Sequence, residues 1–195
     1  MKIVVATKNK GKMREIKAIL SDSKYEILSM EDIGIDIEVE ENADTFEGNA
    51  TKKAVEIMKV CNEITLADDS GLVVEALNGA PGVYSARYAG EHGDDLQNNL
   101  LLLKNMENEK NRNAKFVCAM AMAFPDGKII NVEGEFHGKI DYEMKGTGGF
   151  GYDVLFYLPE YGMTSAEISA DEKNKISHRS KALHLIKEKL DNIKD

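Results

Sequence analysis

Cysteine is scarce in this chain, positive charge is in deficit, and no long apolar run occurs. The two cysteines, Cys61 and Cys118, lack the CxxC spacing that would suggest a zinc site or a dithiol redox centre. Cys61 ends an apolar helical pattern and Cys118 lies within the run Phe116 to Phe124. Both therefore read as buried free thiols suited to a reducing compartment. The first apolar run covers only Ile3 to Ala6, shorter than a signal-peptide core or a membrane span, so the expected location is the cytoplasm, with no membrane partner. The formal net charge of −9 lacks the basic field that grips a long nucleic acid. A small polyphosphate stays compatible, since it needs only a local basic site and a metal. Repeats, low-complexity tracts and a dividing linker are missing too, so residues 1–195 are expected to form one domain.

What is present is an ordinary globular balance, 43% hydrophobic and 30% charged, with enough apolar material for a core. Lys2 to Ala6 reads as a strand feeding a helix near Lys10 to Leu20, where Met13, Ile16, Ile19 and Leu20 share a face. A strand is expected near Tyr25 to Met30, and an extended segment from Ile33 to Glu41. Asp44 and Glu47 have capping-box spacing ahead of a helix that turns Phe46, Ala50, Ala54, Ile57 and Cys61 inward. Ile64 to Ala67 is a short buried strand leading into Asp68-Asp69-Ser70-Gly71, and Leu72 to Ala76 fits strand or helix. Asp94 to Glu107 is helical, with Leu96, Leu100, Leu103 and Met106 on one side. Phe116 to Phe124 is a buried strand, joined by the Asp126-Gly127 turn signal to Lys128 to Val132. Val154 to Leu158 is another strand, and a last helix from about Ser177 carries Ala182, Leu183, Ile186 and Leu190 as its core stripe. Strand–helix alternation followed by a strand-rich middle predicts an α/β protein, two-lobed, with an elongated mixed sheet flanked by helices and a central cleft for ligand.

Five clusters hold residue types suited to polyphosphate chemistry. Thr7, Lys8, Asn9, Lys10, Gly11 and Lys12 sit at the first strand–helix junction, where unpaired N–H groups and the helix dipole favour an anion. A solvated basic helix start is the plain alternative, and the run is not a Walker A motif, because the earlier glycine is absent. Asp68 and Asp69 are adjacent carboxylates at a strand end, fit to hold Mg²⁺ and to take a proton from water; a polar turn is their alternative. Glu38, Glu40 and Glu41 form an acidic edge, one member of which would complete a metal shell. Gly146 to Gly151 formally spells G-x-G-x-x-G, but a strand-like run follows it, which rules out the dinucleotide reading. Its neighbours Phe150, Tyr152 and Asp153 supply stacking faces and an acceptor, unless the segment is only a tight turn. Lys173, His178 and Arg179 lead into the last helix, against the dipole preference, which suggests that they face an anion or a carbonyl-rich ligand.

Taken in order, the motifs Thr7-x-Asn9-x-x-Lys12, Ala67-Asp68-Asp69-Ser70-Gly71, Gly79-Ala80-Pro81-Gly82-x-Tyr84-Ser85-Ala86-Arg87-Tyr88, Gly146 to Asp153, and Ile176-Ser177-His178-Arg179 resemble the inosine triphosphate pyrophosphatase family, also called the Ham1 family. The resemblance runs nearly end to end. It implies a homodimer that hydrolyses ITP, dITP and XTP between the α- and β-phosphates with Mg²⁺. It implies that Thr7 to Lys12 bind the triphosphate, that Asp69 is a metal ligand and the proton acceptor, and that Glu40, or its neighbour Glu41, is the second ligand. Lys53 would steady phosphates or carboxylates. Ser70, Phe150, Gly151, Tyr152, Asp153, Lys173, His178 and Arg179 would hold the nucleoside. Two rivals share these clusters: a Maf-like pyrophosphatase acting on modified pyrimidine nucleotides, and a non-catalytic nucleotide-sensing module.

Overall fold

The computed structural model describes residues 1–21 and 24–192. Seven strands hydrogen-bond in the order β2-β1-β3-β4-β5-β6-β7, with β1 Lys2–Val5, β2 Glu26–Ser29, β3 Ile64–Val74, β4 Asn113–Ala123, β5 Ile129–Ile140, β6 Phe156–Leu158 and β7 Met163–Thr164. The helices are α1 Lys10–Ile19, α2 Phe46–Cys61, α3 Asp95–Asn105, α4 Ala170–Ile176 and α5 His178–Asp191. β1 runs parallel to β2 and β3, whereas β6 is antiparallel to β5 and β7. This is the mixed α/β fold expected from the sequence. Among the described residues, no helix is long and apolar enough to cross a membrane.

The chain divides into two compact units, each assembled from separate segments. The first comprises Met1–Asp69, Cys118–Gly134 and His178–Asp195. Its core follows strand alternation closely. Ile3, Val5, Leu66, Cys118, Met120 and Met122 point to one face and pack with α1 and α5 through Ile16, Leu20, Ala182, Leu183 and Ile186. Val4, Ala67, Ala119, Ala121 and Ala123 point to the other face, onto α2 through Ala50, Ala54 and Ile57. The alternation Cys-Ala-Met-Ala-Met-Ala in β4 thus sets large side chains on one face and small ones beneath α2. The second unit comprises Ser70–Val117 and Glu135–Ser177. Its core gathers Leu72, Val74, Leu102, Phe116, Phe136 and Phe156, with the Phe116 and Phe156 rings tilted at a centroid separation of 4.5 Å.

Several local expectations shift. The N-cap of α2 is Thr45, whose hydroxyl accepts the Gly48 N–H, so the Asp44–Glu47 box is not what starts this helix. Ile33 to Glu41, expected to be extended, begins at the end of a 3₁₀ turn, Glu31–Ile33, and then runs outside any helix or strand. β3 does not stop at Ala67 but continues through the aspartates to Val74, which settles Leu72 as strand. Of the stripe expected on α3, Leu103 and Met106 pack into the second core, but Leu96 and Leu100 are exposed, and Asn98, Asn99 and Leu102 are buried instead.

Candidate active site

Because β3 runs on through both aspartates, Asp68 and Asp69 project to opposite faces. Asp68 falls on the face covered by α1 and α5. Its Oδ2 meets Lys12 Nζ at 3.1 Å and Arg179 Nη2 at 3.2 Å, with the Cys118 sulfur at 3.9 Å. Arg179 also pairs with Glu15, so a Lys12–Asp68–Arg179–Glu15 chain, buried at all but the half-buried Lys12, joins α1, β3 and α5. Burial by itself pushes the Asp68 carboxyl up, but Lys12, Arg179 and Lys53 outweigh it and hold the group far below the usual carboxylate range. Burial also pushes the Cys118 thiol up to about 12, so it stays protonated, as expected of an inert buried cysteine.

Asp69 falls on the α2 face. Asn49 donates to its Oδ2 at 2.9 Å, and Asn49 Oδ1 accepts the Ala43 N–H at 2.9 Å, which ties the carboxylate to the segment ahead of α2. Lys53, one turn further along α2, pairs with Glu41 and donates to the Asp68 carbonyl at 2.7 Å. Burial is the largest influence on Asp69 and raises its pKa; Lys53 and Lys12 oppose that, while Glu41 reinforces it. Lys53 is itself desolvated, yet Asp68, Glu41 and Asp69 keep it firmly protonated. Glu41 is therefore the acidic side chain that shares a locality with Asp69. Glu40 is exposed, with its carboxylate accepting from the Asn42 amide at 3.2 Å and its carbonyl from Lys52.

The Thr7–Lys12 turn leaves β1 and opens α1. Asn9 is the N-cap, its Oδ1 accepting from Gly11 N–H at 2.8 Å and Lys12 N–H at 3.1 Å. No acidic residue lies in the first turn, so nothing there offsets the positive helix end. Lys10 is exposed, and Lys8 pairs with Asp36 at the surface. Lys12 is the member of the turn that reaches the aspartates.

In the second unit the glycine-rich segment folds around Asp153. Its Oδ2 accepts the Phe150 N–H at 3.0 Å and Lys173 Nζ at 2.6 Å, and Lys173 Nζ lies 4.9 Å from the Phe150 ring centroid. Phe150 is half-buried. Tyr152 is buried, with its hydroxyl donating to the Ser85 carbonyl at 2.8 Å, so this ring serves as an internal tether while Phe150 keeps a partly open face. Ser70 follows Asp69 directly in β3, and Ser177 ends α4 where α5 begins at His178. His178 and Arg179 are both buried in the first unit, beside Gly134 of β5. A Cβ at Gly134 would overlap the His178 carbonyl, so only glycine lets β5 approach the start of α5 this closely.

Sequence reasoning did not single out Asn49 or Glu15. Each is a polar residue on an otherwise apolar helix face, and that mismatch was the available signal.

Residues 3–189 match the Ham1 family profile. The chain is 51% identical over 191 residues to the dITP/XTP pyrophosphatase of Clostridium tetani, covering 96% of this chain and 95% of that protein. Identity to the dITP/XTP pyrophosphatase of Clostridium perfringens is 49%, covering 98% of each chain. Among solved structures, the Staphylococcus aureus Ham1 protein superposes with a TM-score of 0.89 at 41% identity, covering 100% of both chains. With the paired aspartates, the lysine-bearing turn and the glycine-rich segment all in place along the full length, the chain belongs to the Ham1 family.

Proposed function

We propose that this protein hydrolyses non-standard purine nucleoside triphosphates, among them ITP, dITP and XTP, to the monophosphate and pyrophosphate. The relatives named above as dITP/XTP pyrophosphatases support the substrate class. The observation that carries the reading is the 3.1 Å approach of Lys12, from the turn opening α1, to Asp68, whose neighbour Asp69 faces Lys53 and Glu41. A phosphate-binding turn and a pair of acidic side chains thereby meet within one unit.

The donor set fits Mg²⁺. Asp69 and Glu41 offer hard oxygen ligands, and magnesium characteristically takes one or two carboxylates together with substrate phosphates. Bound there, the ion would offset phosphate charge as it moves toward the leaving pyrophosphate. The chain's own residues do the rest. The lysines of Thr7 to Lys12 and the positive end of α1 receive the triphosphate. Lys53 holds Glu41 and the Asp68 carbonyl, which fixes the strand that bears Asp69. Asp69, already raised by burial, accepts the proton of the attacking water. Arg179 acts through Asp68, which it holds ionised. Phe150, held beside Lys173 and Asp153, offers a ring face to the base, and His178 presents a donor to a purine 6-oxo group. Such a donor would be left unpaired against the 6-amino group of ATP. The active form is a homodimer, to be checked by sedimentation.

A panel of triphosphates incubated with Mg²⁺ tests the reading. ITP, dITP and XTP should yield monophosphate and pyrophosphate much faster than ATP and GTP. Orthophosphate as first product, or preferred turnover of modified pyrimidine nucleotides, would overturn it. Binding without turnover would leave only a sensing role.

A further inference from the structure

One part of the glycine-rich segment is held from outside itself. Gly148 donates to the Ala166 carbonyl at 3.0 Å, and a Cβ at Gly146 or Gly148 would strike the Ala166 backbone, so packing fixes that end. Gly151 differs. It adopts φ +61° with open space where a Cβ would stand, so packing does not set its position.

Hydrogen bonds from α3 set it instead. The Gly151 N–H donates to Asp95 Oδ2 at 2.7 Å, and the Gly151 carbonyl accepts from Asn99 Nδ2 at 2.9 Å. Both backbone polar groups of one residue are thus gripped by side chains four positions apart on one helix, a spacing that places them on one face. Asn99 Nδ2 also donates to the Asp95 carbonyl at 2.7 Å, which orients the amide. The grip comes at a cost in stability. Asn99 is 2% exposed, and its Oδ1 has no hydrogen-bond partner among the described residues. An apolar residue would suit that buried position better if packing were the only requirement. The adjoining Asn98 binds a second segment in the same manner, accepting the Ala89 N–H at 2.7 Å. Tyr152, next to Gly151, reaches the Ser85 carbonyl.

We propose that Asp95 and Asn99 are positioning residues that clamp Gly151 and so set the orientation of Phe150 toward the purine ring. The proposal rests on the reading that Phe150 holds the base. The clamp is built for recognition, so its loss should weaken nucleoside binding while sparing the phosphate site.

The test compares Asp95→Ala, Asp95→Asn and Asn99→Leu in the full chain. The measurements are dITP kinetics, inhibition by inorganic pyrophosphate, and thermal melting. Asp95→Ala and Asn99→Leu should raise KM for dITP about tenfold, equivalent to about 1.4 kcal/mol, with kcat within about twofold and the pyrophosphate inhibition constant unchanged. Asp95→Asn keeps an oxygen acceptor and should restore KM. Asp95 is exposed, so its variants remain informative even if Asn99→Leu fails to fold. Wild-type KM in Asp95→Ala overturns the clamp, as does equal loss in Asp95→Asn or a parallel loss of pyrophosphate inhibition. Phe150→Ala separates the two levels. If it leaves KM for dITP unchanged, the base-holding reading itself fails; if it raises KM while Asp95→Ala does not, only the clamp fails.

Discussion

Asp68 and Asp69 are chemically identical neighbours that the strand assigns to different surroundings. Asp68 faces Lys12 and Arg179 and is held ionised; Asp69 faces Asn49 and Glu41, and burial raises it. Neutralising each should have opposite effects on stability. Asp68→Asn removes the anion shared by Lys12 and the buried Arg179 and should cost about 3 kcal/mol in urea unfolding at pH 7. Asp69→Asn keeps an oxygen for the Asn49 amide and removes a poorly solvated charge. In EDTA it should melt at a higher temperature than the parent, while turnover falls by roughly 10²–10⁴. A lower melting temperature for Asp69→Asn would contradict the electrostatic account, and near-normal turnover would remove Asp69 as proton acceptor.

Elements carry the site by their ends and by their buried polar positions. Asn9 is the clearest case, since one side-chain oxygen caps α1 and shapes the Thr7–Lys12 turn proposed to bind phosphate. Asn9→Ala should cost about 1 kcal/mol of stability. It should also raise KM for every triphosphate alike, without changing the preference among bases. An unchanged KM alongside reduced stability would detach the cap from phosphate binding. The ends and stripes of α1 and α5 were legible in the sequence because apolar spacing at helical period reports the core directly. On α3 the same spacing was right for Leu103 and Met106 and misled for the rest. Its leucines at positions 96 and 100 are exposed, while the buried face carries Asn98 and Asn99, whose work is to bind loops. The motifs named Lys12, Asp68 and Asp69, which come together in the first unit, but the distinction between the Asp68 and Asp69 environments required knowing that β3 continues past them. Likewise, the residues alone offered Glu38, Glu40 and Glu41 and the resemblance implied Glu40 ahead of Glu41, whereas Lys53 on α2 pairs with Glu41, whose charge reaches Asp69.

At the scale of the molecule, each unit encloses its own core, and strands β3, β4 and β5 pass from one unit into the other along the chain. The net charge of −9 makes the lysines around the aspartates a local exception, and it shapes the response to acid. Asp68, together with Asp32 and Glu75 at the surface, titrates below the ordinary range: Lys12 and Arg179 overcome burial at Asp68, the Ser29 N–H bonds Asp32, and the Asn111 amide bonds Glu75. Their stabilisation is complete above the unfolded value, near 4, and disappears as pH drops through the lower folded values. Asp69 has the opposite sign. Its folded pKa is raised, so the penalty for its ionisation is relieved as pH falls through that higher value. The metal-free protein should therefore gain a little stability as pH falls through the raised Asp69 value, then lose it steeply below about 4. Asp69→Asn should flatten the upper part of that curve and leave the acid fall intact, whereas Asp68→Asn should make the acid fall shallower. Calorimetry across the range decides it. A parent curve unchanged by either substitution would mean that these two carboxylates do not govern its acid response.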